Sequence, residues 1–240
     1  MSIYCISDIH GKREEFYKML KKINFKEEDH LYVIGDIIDR YEEGVELFQE
    51  LTQMDNVTII KGNHEDMCYK SMTSDMDEFD NWTRRNGGDV THKALMKLDS
   101  YSRYKFLGQI KELPLYKFVT VNDRKFLLVH AGLYNYKRRT LEELLELQYT
   151  NILWIRGLFL ADSFSNFDCT IVFGHTITAS IPWEITGEYP KDYKENWNSY
   201  VKDSYIWENE NKIGIDCGAS SGGRLACLRL DDLEKFYVEC

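Results

Sequence analysis

A chain of 240 residues and 28.4 kDa is long enough for one domain with a sizeable core. Its 30 basic and 40 acidic residues give a formal net charge of −10, which repels nucleic-acid backbones and argues against DNA as a partner. No apolar stretch approaches the ~20 residues that a membrane-spanning helix needs, and the first residues predict a strand rather than a secretory leader. We therefore expect a cytoplasmic protein with no membrane partner.

The first sixty residues alternate between apolar runs and amphipathic stretches. Residues 2–7, 31–34 and 57–60 predict strands. Residues 12–23 and 42–52 predict helices, because their apolar side chains recur three and four positions apart. This alternation predicts a parallel sheet with right-handed crossovers, whose loops gather at the carboxyl edge of the strands.

The pattern changes from about residue 66 to residue 113, where a polar, helix-compatible stretch predicts a helical insertion. Asn122-Asp123 then separates two apolar runs, which predicts a hairpin. Residues 181–205 are rich in Trp and Tyr and poor in aliphatic residues, so we expect a surface loop near the mouth of the site, with an ordered lid as the alternative. A helix is predicted at 141–147, and a second, mainly antiparallel set of strands at 170–173, 205–208, 212–215, 225–230 and 235–239. We expect one domain over residues 1–240.

Acid, amide and imidazole side chains follow five of the apolar runs, at the point where each run ends. Because loops at the carboxyl edge of a sheet lie close together, these oxygen and nitrogen ligands should form one polar site. Such a site can hold two metal ions. In chain order the ligand candidates are Asp8, His10, Asp36, Asn63, His130 and His175.

Each motif also has a plain structural explanation when it is taken alone. The first aspartate could cap a helix, and GDIIDR could be a surface turn with a local salt bridge. The asparagine of GNHE could form an Asx-turn, and the last two histidines could be satisfied at the edge of the core. Five such motifs in a fixed order favour the functional explanation.

Together, SDIHGK, GDIIDR, GNHE, VHAG and FGHT resemble the metallophosphoesterase superfamily, and within it the phosphoprotein phosphatase family. That family includes bacterial and phage serine/threonine phosphatases and symmetrical diadenosine tetraphosphatases. Three details point to it: Arg40 follows Asp39, Glu65 closes GNHE, and Ile177 stands where nuclease relatives usually have a second histidine.

Other segments resemble the bacterial members, among them Trp82 with Asn86-Gly87-Gly88 in the insertion. Two positions depart from the family pattern. Tyr41 stands where Gly is usual after the arginine, and Lys61 where Arg often precedes the glycine of GNHE. The resemblance implies an α/β (α+β four-layer) fold, a calcineurin-like β-sandwich of two mixed sheets flanked by helices with a helical insertion.

The resemblance also implies a ligand set for each metal. The first ion would be held by Asp8, His10 and Asp36. The second would be held by Asp36, which bridges the two ions, and by Asn63, His130 and His175. Histidine, aspartate and amide ligands without a thiolate suit Mn, Fe or Zn better than Ca, and the family commonly uses Mn. We expect two divalent ions, Mn first, with Fe or Zn as alternatives.

Carried over in the same way, the catalytic set is His64, Asp39, Arg40 and Arg156. His64 would protonate the leaving oxygen, and Asp39 would orient its ring. Arg40 and Arg156 would bind phosphate oxygens beside Asn63. A hydroxide that bridges the metals would attack phosphorus in line, without a covalent enzyme intermediate.

Three functions remain open from the sequence. The leading one is a phosphatase that acts on phosphoserine and phosphothreonine in proteins. The alternative is a hydrolase of diadenosine tetraphosphate or other nucleoside polyphosphates. The third is an inactive metal-binding module that recognises phosphorylated partners. The oligomeric state stays undetermined.

Overall fold

The computed structural model describes residues 1–73, 76–135, 139–165 and 167–240, with only the backbone at 76 and 77. Two five-stranded sheets form the centre of the molecule. The first has the strand order β10-β9-β1-β2-β3, and β1, β2 and β3 run parallel as predicted. Its strands are β1 (Ile3–Ile6), β2 (His30–Ile34), β3 (Val57–Ile60), β9 (Arg224–Arg229) and β10 (Lys235–Glu239).

The second sheet has the order β4-β5-β6-β8-β7. Asn122 and Asp123 join β4 to β5 with φ of 49° and 63°, so the predicted hairpin is confirmed. Its strands are β4 (Tyr116–Val121), β5 (Arg124–Val129), β6 (Thr170–Phe173), β7 (Trp207–Asn209) and β8 (Lys212–Gly214).

Two expectations about strand pairing were wrong. The strands predicted at 225–230 and 235–239 belong to the first sheet, where β9 pairs antiparallel with β1. The centre of the second sheet is parallel, since β6 lies between β5 and β8 in the same direction. Alternation of apolar residues indicates a strand but carries no information about its partner, which distant contacts decide.

Eleven α-helices cover the sheets in the part of the chain that is described. They are α1 (Arg13–Lys22), α2 (Gly44–Leu51), α3 (Asn63–Thr73), α4 (Met76–Arg85), α5 (Asp89–Lys97), α6 (Ser100–Glu112), α7 (Leu141–Glu146), α8 (Tyr149–Trp154), α9 (Gly157–Ala161), α10 (Ile181–Thr186) and α11 (Trp197–Lys202). None of these is long and apolar enough to cross a membrane. Helices α3 to α6 occupy the stretch predicted as an insertion. That the whole chain is one domain stays a prediction.

The surface loop expected at 181–205 was wrong, because α10 and α11 lie in this segment. Helices of six residues contain too few turns to produce a detectable apolar period. The start and stop signals of α10 were nevertheless present in the sequence: Pro182 lies in its first turn, and Gly187 ends it with φ of 72°.

The core is divided into three apolar layers. Between the sheets, Ile34 and Leu228 of the first sheet pack with Phe126 and Val172 of the second. A second cluster lies between the first sheet and the helices up to α6, and a third between the second sheet and α7 to α10. The layers therefore run helix, sheet, sheet, helix, as the four-layer prediction required.

Candidate active site

The predicted ligands leave their strands through an uncommon backbone conformation. Asp8, His10, Asp36 and His175 have φ of 52°, 48°, 54° and 63°. Non-glycine residues in the left-handed region cost about 1–3 kcal/mol each and gather at functional sites. The chain turns sharply there, and all four side chains are buried in one place at the carboxyl edge.

Asp36 lies at the centre of the site, with its side chain almost fully buried. Its Oδ2 is 3.3 Å from Nε2 of His130, 3.7 Å from Nε2 of His10 and 3.8 Å from Nε2 of His64. Its Oδ1 accepts a 3.1 Å hydrogen bond from the backbone nitrogen of His64. One carboxylate therefore faces His10 and His64 on one side of the site and His130 on the other.

Backbone carbonyls fix the rings of two histidines. Nδ1 of His10 donates to the oxygen of Ile38 at 2.9 Å, and Nδ1 of His130 donates to the oxygen of Ile34 at 2.9 Å. Since a carbonyl can only accept, Nδ1 of each ring carries a proton, and Nε2 is the nitrogen that faces Asp36. Metal-binding imidazoles are oriented by such bonds.

Asn63 and His175 complete the second half of the site. Oδ1 of Asn63 lies 2.8 Å from Nε2 of His130 and 3.0 Å from Nδ1 of His175. Nε2 of His175 is buried and has no hydrogen-bond partner among the described residues. Two groups have ligand atoms within 4.8 Å of one another: His10, Asp36 and His64, and Asp36, His130 and His175. This donor set fits divalent ions.

Electrostatics supports the same conclusion. Burial opposes ionisation of Asp36, but His130 and His64 outweigh burial and hold the pKa of Asp36 well below its usual range. Burial likewise opposes protonation of His130, yet Asp36 raises the pKa of its ring to about 10. Burial, with Arg40 near one and Arg156 near the other, lowers the pKa of both His10 and His175. Neutral imidazoles are the form that binds metal, so His10 and His175 are ready to bind, whereas an ion would have to displace a proton from His130.

Asp8 lies beside these two groups rather than within either. Its Oδ2 accepts a 2.9 Å hydrogen bond from the backbone nitrogen of His175. Burial, followed by the charge of Asp216, raises the pKa of Asp8 well above its usual range. Three buried carboxylates, those of Asp8, Asp36 and Asp216, therefore lie close together, and a cation would offset their repulsion.

His64 and Asp39 form a buried pair. Nδ1 of His64 lies 2.7 Å from Oδ2 of Asp39, and Nε2 of His64 faces Asp36. Trp82 of α4 donates a 2.8 Å hydrogen bond to the same Oδ2, and the backbone nitrogen of Asp39 donates to Oγ1 of Thr91 at 2.9 Å. The helical stretch α4–α5 therefore positions Asp39, which in turn orients His64.

Two guanidinium groups line a cavity of about 280 Å³ together with Asp8 and His175. Arg40 donates from Nη1 to Oγ of Ser220 at 2.6 Å, and its Nη2 lies 3.5 Å from Nε2 of His64. Arg156 donates from Nη1 to the backbone oxygen of His175 at 2.9 Å. Both arginines are thereby held at the wall of the cavity, where they can face an anion.

The glutamate of GNHE has a structural role that the sequence did not reveal. Oε2 of Glu65 accepts hydrogen bonds of 2.9 Å from the backbone nitrogens of Asp36 and Gly62, and Oε1 accepts one of 2.9 Å from Ile37. The carboxylate thus fixes the loop after β2 against the loop after β3.

Sequence reasoning missed Asp216, which lines the same cavity. Its signal was available, because Asp216 follows directly after an apolar run, as Asp8 and Asp36 do. In contrast, Arg84 and Arg85, which could have added positive charge to the site, are exposed on α4, and Arg84 pairs with Asp80 at 3.4 Å.

Comparison with known proteins supports the assignment made from the motifs. The profile of the calcineurin-like phosphoesterase family matches residues 1–198, so the chain belongs to this family of hydrolases. A symmetrical bis(5'-nucleosyl)-tetraphosphatase of Buchnera aphidicola is 27% identical, over 99% of this chain and 97% of that protein. An asymmetrical bis(5'-nucleosyl)-tetraphosphatase of Anoxybacillus flavithermus is 24% identical, over 97% of this chain and 92% of that protein.

Solved structures support the fold. A metallophosphoesterase from Sphaerobacter thermophilus superposes with a TM-score of 0.56 at 15% identity, over all of this chain and 88% of that one. A serine/threonine phosphatase from Saccharomyces cerevisiae gives a TM-score of 0.58 at 15% identity, over all of this chain and 79% of that one. The predicted sandwich of two mixed sheets flanked by helices is confirmed.

Proposed function

We propose that this protein hydrolyses nucleoside polyphosphates, dinucleoside tetraphosphates in particular, with two bound divalent metal ions. The observation that carries the proposal is the position of the His64–Asp39 pair. On one side His64 faces the buried cluster of carboxylates and imidazoles, and on the other side it lies beside the guanidinium group of Arg40. The substrate class is favoured by two relatives that match along almost their whole length and are nucleoside tetraphosphatases. For this reason we prefer nucleoside polyphosphate hydrolysis, the alternative function from the sequence analysis, over the hydrolysis of phosphoserine and phosphothreonine in proteins.

The ions would be held as the family resemblance implies. Asp8, His10 and Asp36 would hold one ion, and Asp36, Asn63, His130 and His175 the other. When bound, such a pair supplies positive charge to the phosphoryl oxygens and lowers the pKa of bound water, so that a hydroxide nucleophile is available near neutral pH. The nitrogen and oxygen donors suit Mn, with Fe or Zn as alternatives.

The two arginines would bind the phosphoryl group that is attacked. Arg40 and Arg156 line one cavity with Asp8 and His175, so both guanidinium groups can donate to non-bridging oxygens of one phosphate. Asn63 contributes its amide beside them. Ser220 and the backbone oxygen of His175 hold the guanidinium groups in place before the substrate binds, which lowers the entropy that binding costs.

His64 would act as the general acid. In the imidazolium form, Asp39 would accept a hydrogen bond from Nδ1, and Nε2, beside Asp36 and Arg40, would hold the proton for the leaving oxygen. Water adds to phosphorus and loses a proton to solvent, the bridging P–O bond breaks, and the departing phosphate oxygen takes the proton from Nε2, which solvent then restores. A dinucleoside tetraphosphate and one water give two nucleoside diphosphates after symmetrical cleavage, or a triphosphate and a monophosphate after asymmetrical cleavage.

A substrate comparison tests the proposal. Protein loaded with Mn should hydrolyse diadenosine tetraphosphate with a higher kcat/KM than a phosphoserine peptide, and Asp36→Ala should abolish both activities. A faster reaction on the peptide would restore the protein phosphatase assignment. Tight binding of either ligand without turnover in Mn, Fe and Zn would instead indicate a recognition module.

The role of His64 needs a separate variant, since its Nε2 also belongs to one of the candidate ligand groups. His64→Asn should lower kcat by about 100-fold, the usual size of a general acid contribution, and leave the number of bound Mn ions at two. Loss of one ion in this variant would identify His64 as a ligand instead.

A further inference from the structure

The cavity beside the proposed metal site is lined by two chemically different sets of side chains. One set is charged and includes Arg40 and Arg156. The other set is the three aromatic rings of Tyr189, Tyr193 and Trp197, which we call the aromatic wall. A phosphoryl group uses only the charged set, so the volume of about 280 Å³ and the aromatic lining leave room for a further part of the substrate.

Packing alone accounts for part of this aromatic cluster. Trp183 lies behind the wall, with ring centroids 5.8 Å from Tyr189, 6.3 Å from Tyr193 and 6.4 Å from Trp197. Tyr200 packs edge-on against Trp183 at 5.0 Å. Trp183 and Tyr200 thus form a small core for this segment. The rings of the aromatic wall pack against that core and also line the cavity, so part of their surface is available to a ligand.

Close backbone contacts fix the wall relative to the arginines. A Cβ at Gly157 would lie 2.4 Å from the carbonyl oxygen of Glu184, so the chain next to Arg156 lies directly against α10. A Cβ at Gly218 would lie 2.4 Å from Val201, which holds α11 against the loop that carries Ser220. These contacts fix the aromatic side chains of the cavity relative to its charged ones.

We propose that the aromatic wall is a nucleobase subsite, in which the base of the nucleotide stacks on Tyr193 and Trp197 while its phosphate lies between Arg40 and Arg156. This inference rests on the proposed nucleotide hydrolysis and adds the residues that select a nucleotide over other phosphoesters. Aromatic rings stack on the flat face of any nucleobase, so this subsite would favour nucleotides over other phosphoesters without selecting one base.

A pair of inhibitors isolates the contribution of the base. AMP and ribose 5-phosphate carry the same phosphomonoester and differ only in the base. Each would be measured as an inhibitor of p-nitrophenyl phosphate hydrolysis by the Mn-loaded wild-type protein. Stacking predicts an inhibition constant for AMP about tenfold lower than for ribose 5-phosphate. Equal constants would overturn the subsite.

Substitutions locate the effect. Trp197→Leu and Tyr193→Leu should make the inhibition constants of AMP and ribose 5-phosphate equal and raise KM for diadenosine tetraphosphate about tenfold. Trp197→Phe retains an aromatic face and should recover most of the loss. Tyr101→Leu, at an exposed aromatic residue on α6, is the matched control and should behave as wild type.

The two proposals fail in different ways. If the wild-type protein hydrolyses diadenosine tetraphosphate but AMP and ribose 5-phosphate inhibit equally, the proposed function stands and the subsite falls. If AMP binds more tightly through Trp197 but only phosphopeptides are hydrolysed, the subsite stands and the proposed function falls. Should Trp197→Leu fail to fold, Trp197→Phe and the wild-type inhibitor pair still decide the question.

Discussion

The indole nitrogen of Trp82 donates a 2.8 Å hydrogen bond to Oδ2 of Asp39, the same oxygen that faces Nδ1 of His64. Trp82 lies on α4 and Asp39 in the loop after β2, so the bond joins the helical stretch to the site. Because this bond is the contact of Trp82 with the proposed catalytic pair, we expect Trp82 to act on the reaction through Asp39, as a positioning residue.

Trp82→Phe should therefore lower kcat about tenfold, which corresponds to one lost hydrogen bond to a charged group, while KM and the number of bound Mn ions stay unchanged. Steady-state kinetics and metal analysis of the purified variant measure this. Trp207→Phe, on β7, is the matched control and should keep the wild-type kcat. An equal loss in both variants would mean that general loosening, and not the bond to Asp39, is responsible.

Metal binding should stabilise the fold, because the ligands converge only in the folded state. Mn at 100 times its dissociation constant is expected to add about 2.7 kcal/mol to the free energy of unfolding. For a chain of this size that raises Tm by about 5–10 °C, and EDTA should reverse the rise. Asp36→Asn should abolish most of it. Calorimetric scans with and without Mn test this, and an equal rise in the variant would contradict a site centred on Asp36.

Lys212 is buried on β8 and has an unusual set of partners. Its Nζ donates to the backbone oxygens of Phe159, Leu160 and Asp162 at 3.1, 2.7 and 2.7 Å, which caps the carboxyl end of α9. Lys212→Met should cost at least about 2 kcal/mol of unfolding free energy, because these carbonyls lose their donor. Lys125→Met, at an exposed lysine, should cost under about 1 kcal/mol. Urea denaturation of the two variants measures both losses. Equal denaturation midpoints for Lys212→Met and Lys125→Met would refute the capping role.

Asp232 makes a pH-dependent contribution in the turn between β9 and β10. Arg229 lowers the pKa of Asp232 to about 2. A carboxylate with a depressed pKa stabilises the fold above its unfolded pKa, near 4, and loses that contribution as the pH falls towards 2. Asp232→Asn should destabilise the protein at pH 7 by no more than about 1 kcal/mol, since solvent screens the pair. The difference in the free energy of unfolding between wild type and Asp232→Asn should narrow as the pH falls from 5 to 3; a constant difference would exclude this ion pair as the cause.

The strands and the ligand positions could be predicted because both depend on local features. An apolar run followed by an acid or imidazole places Asp8, Asp36 and His175 at strand ends, and parallel strands bring those ends together. The bond from Trp82 to Asp39 and the pairing of β9 with β1 depend on contacts between distant segments. No local period encodes such contacts, so they could not be read from the sequence.

The position of β9 also has a consequence for how the protein is made. Ile6 in the first strand pairs with Cys227, so β1 has a neighbour on that side only after the residues up to β9 have left the ribosome. Until then the edge of β1 presents unpaired backbone groups to other nascent chains. Loss of the β9–β10 hairpin would leave this edge of β1 open in the folded protein, where it could pair with other chains and start aggregation.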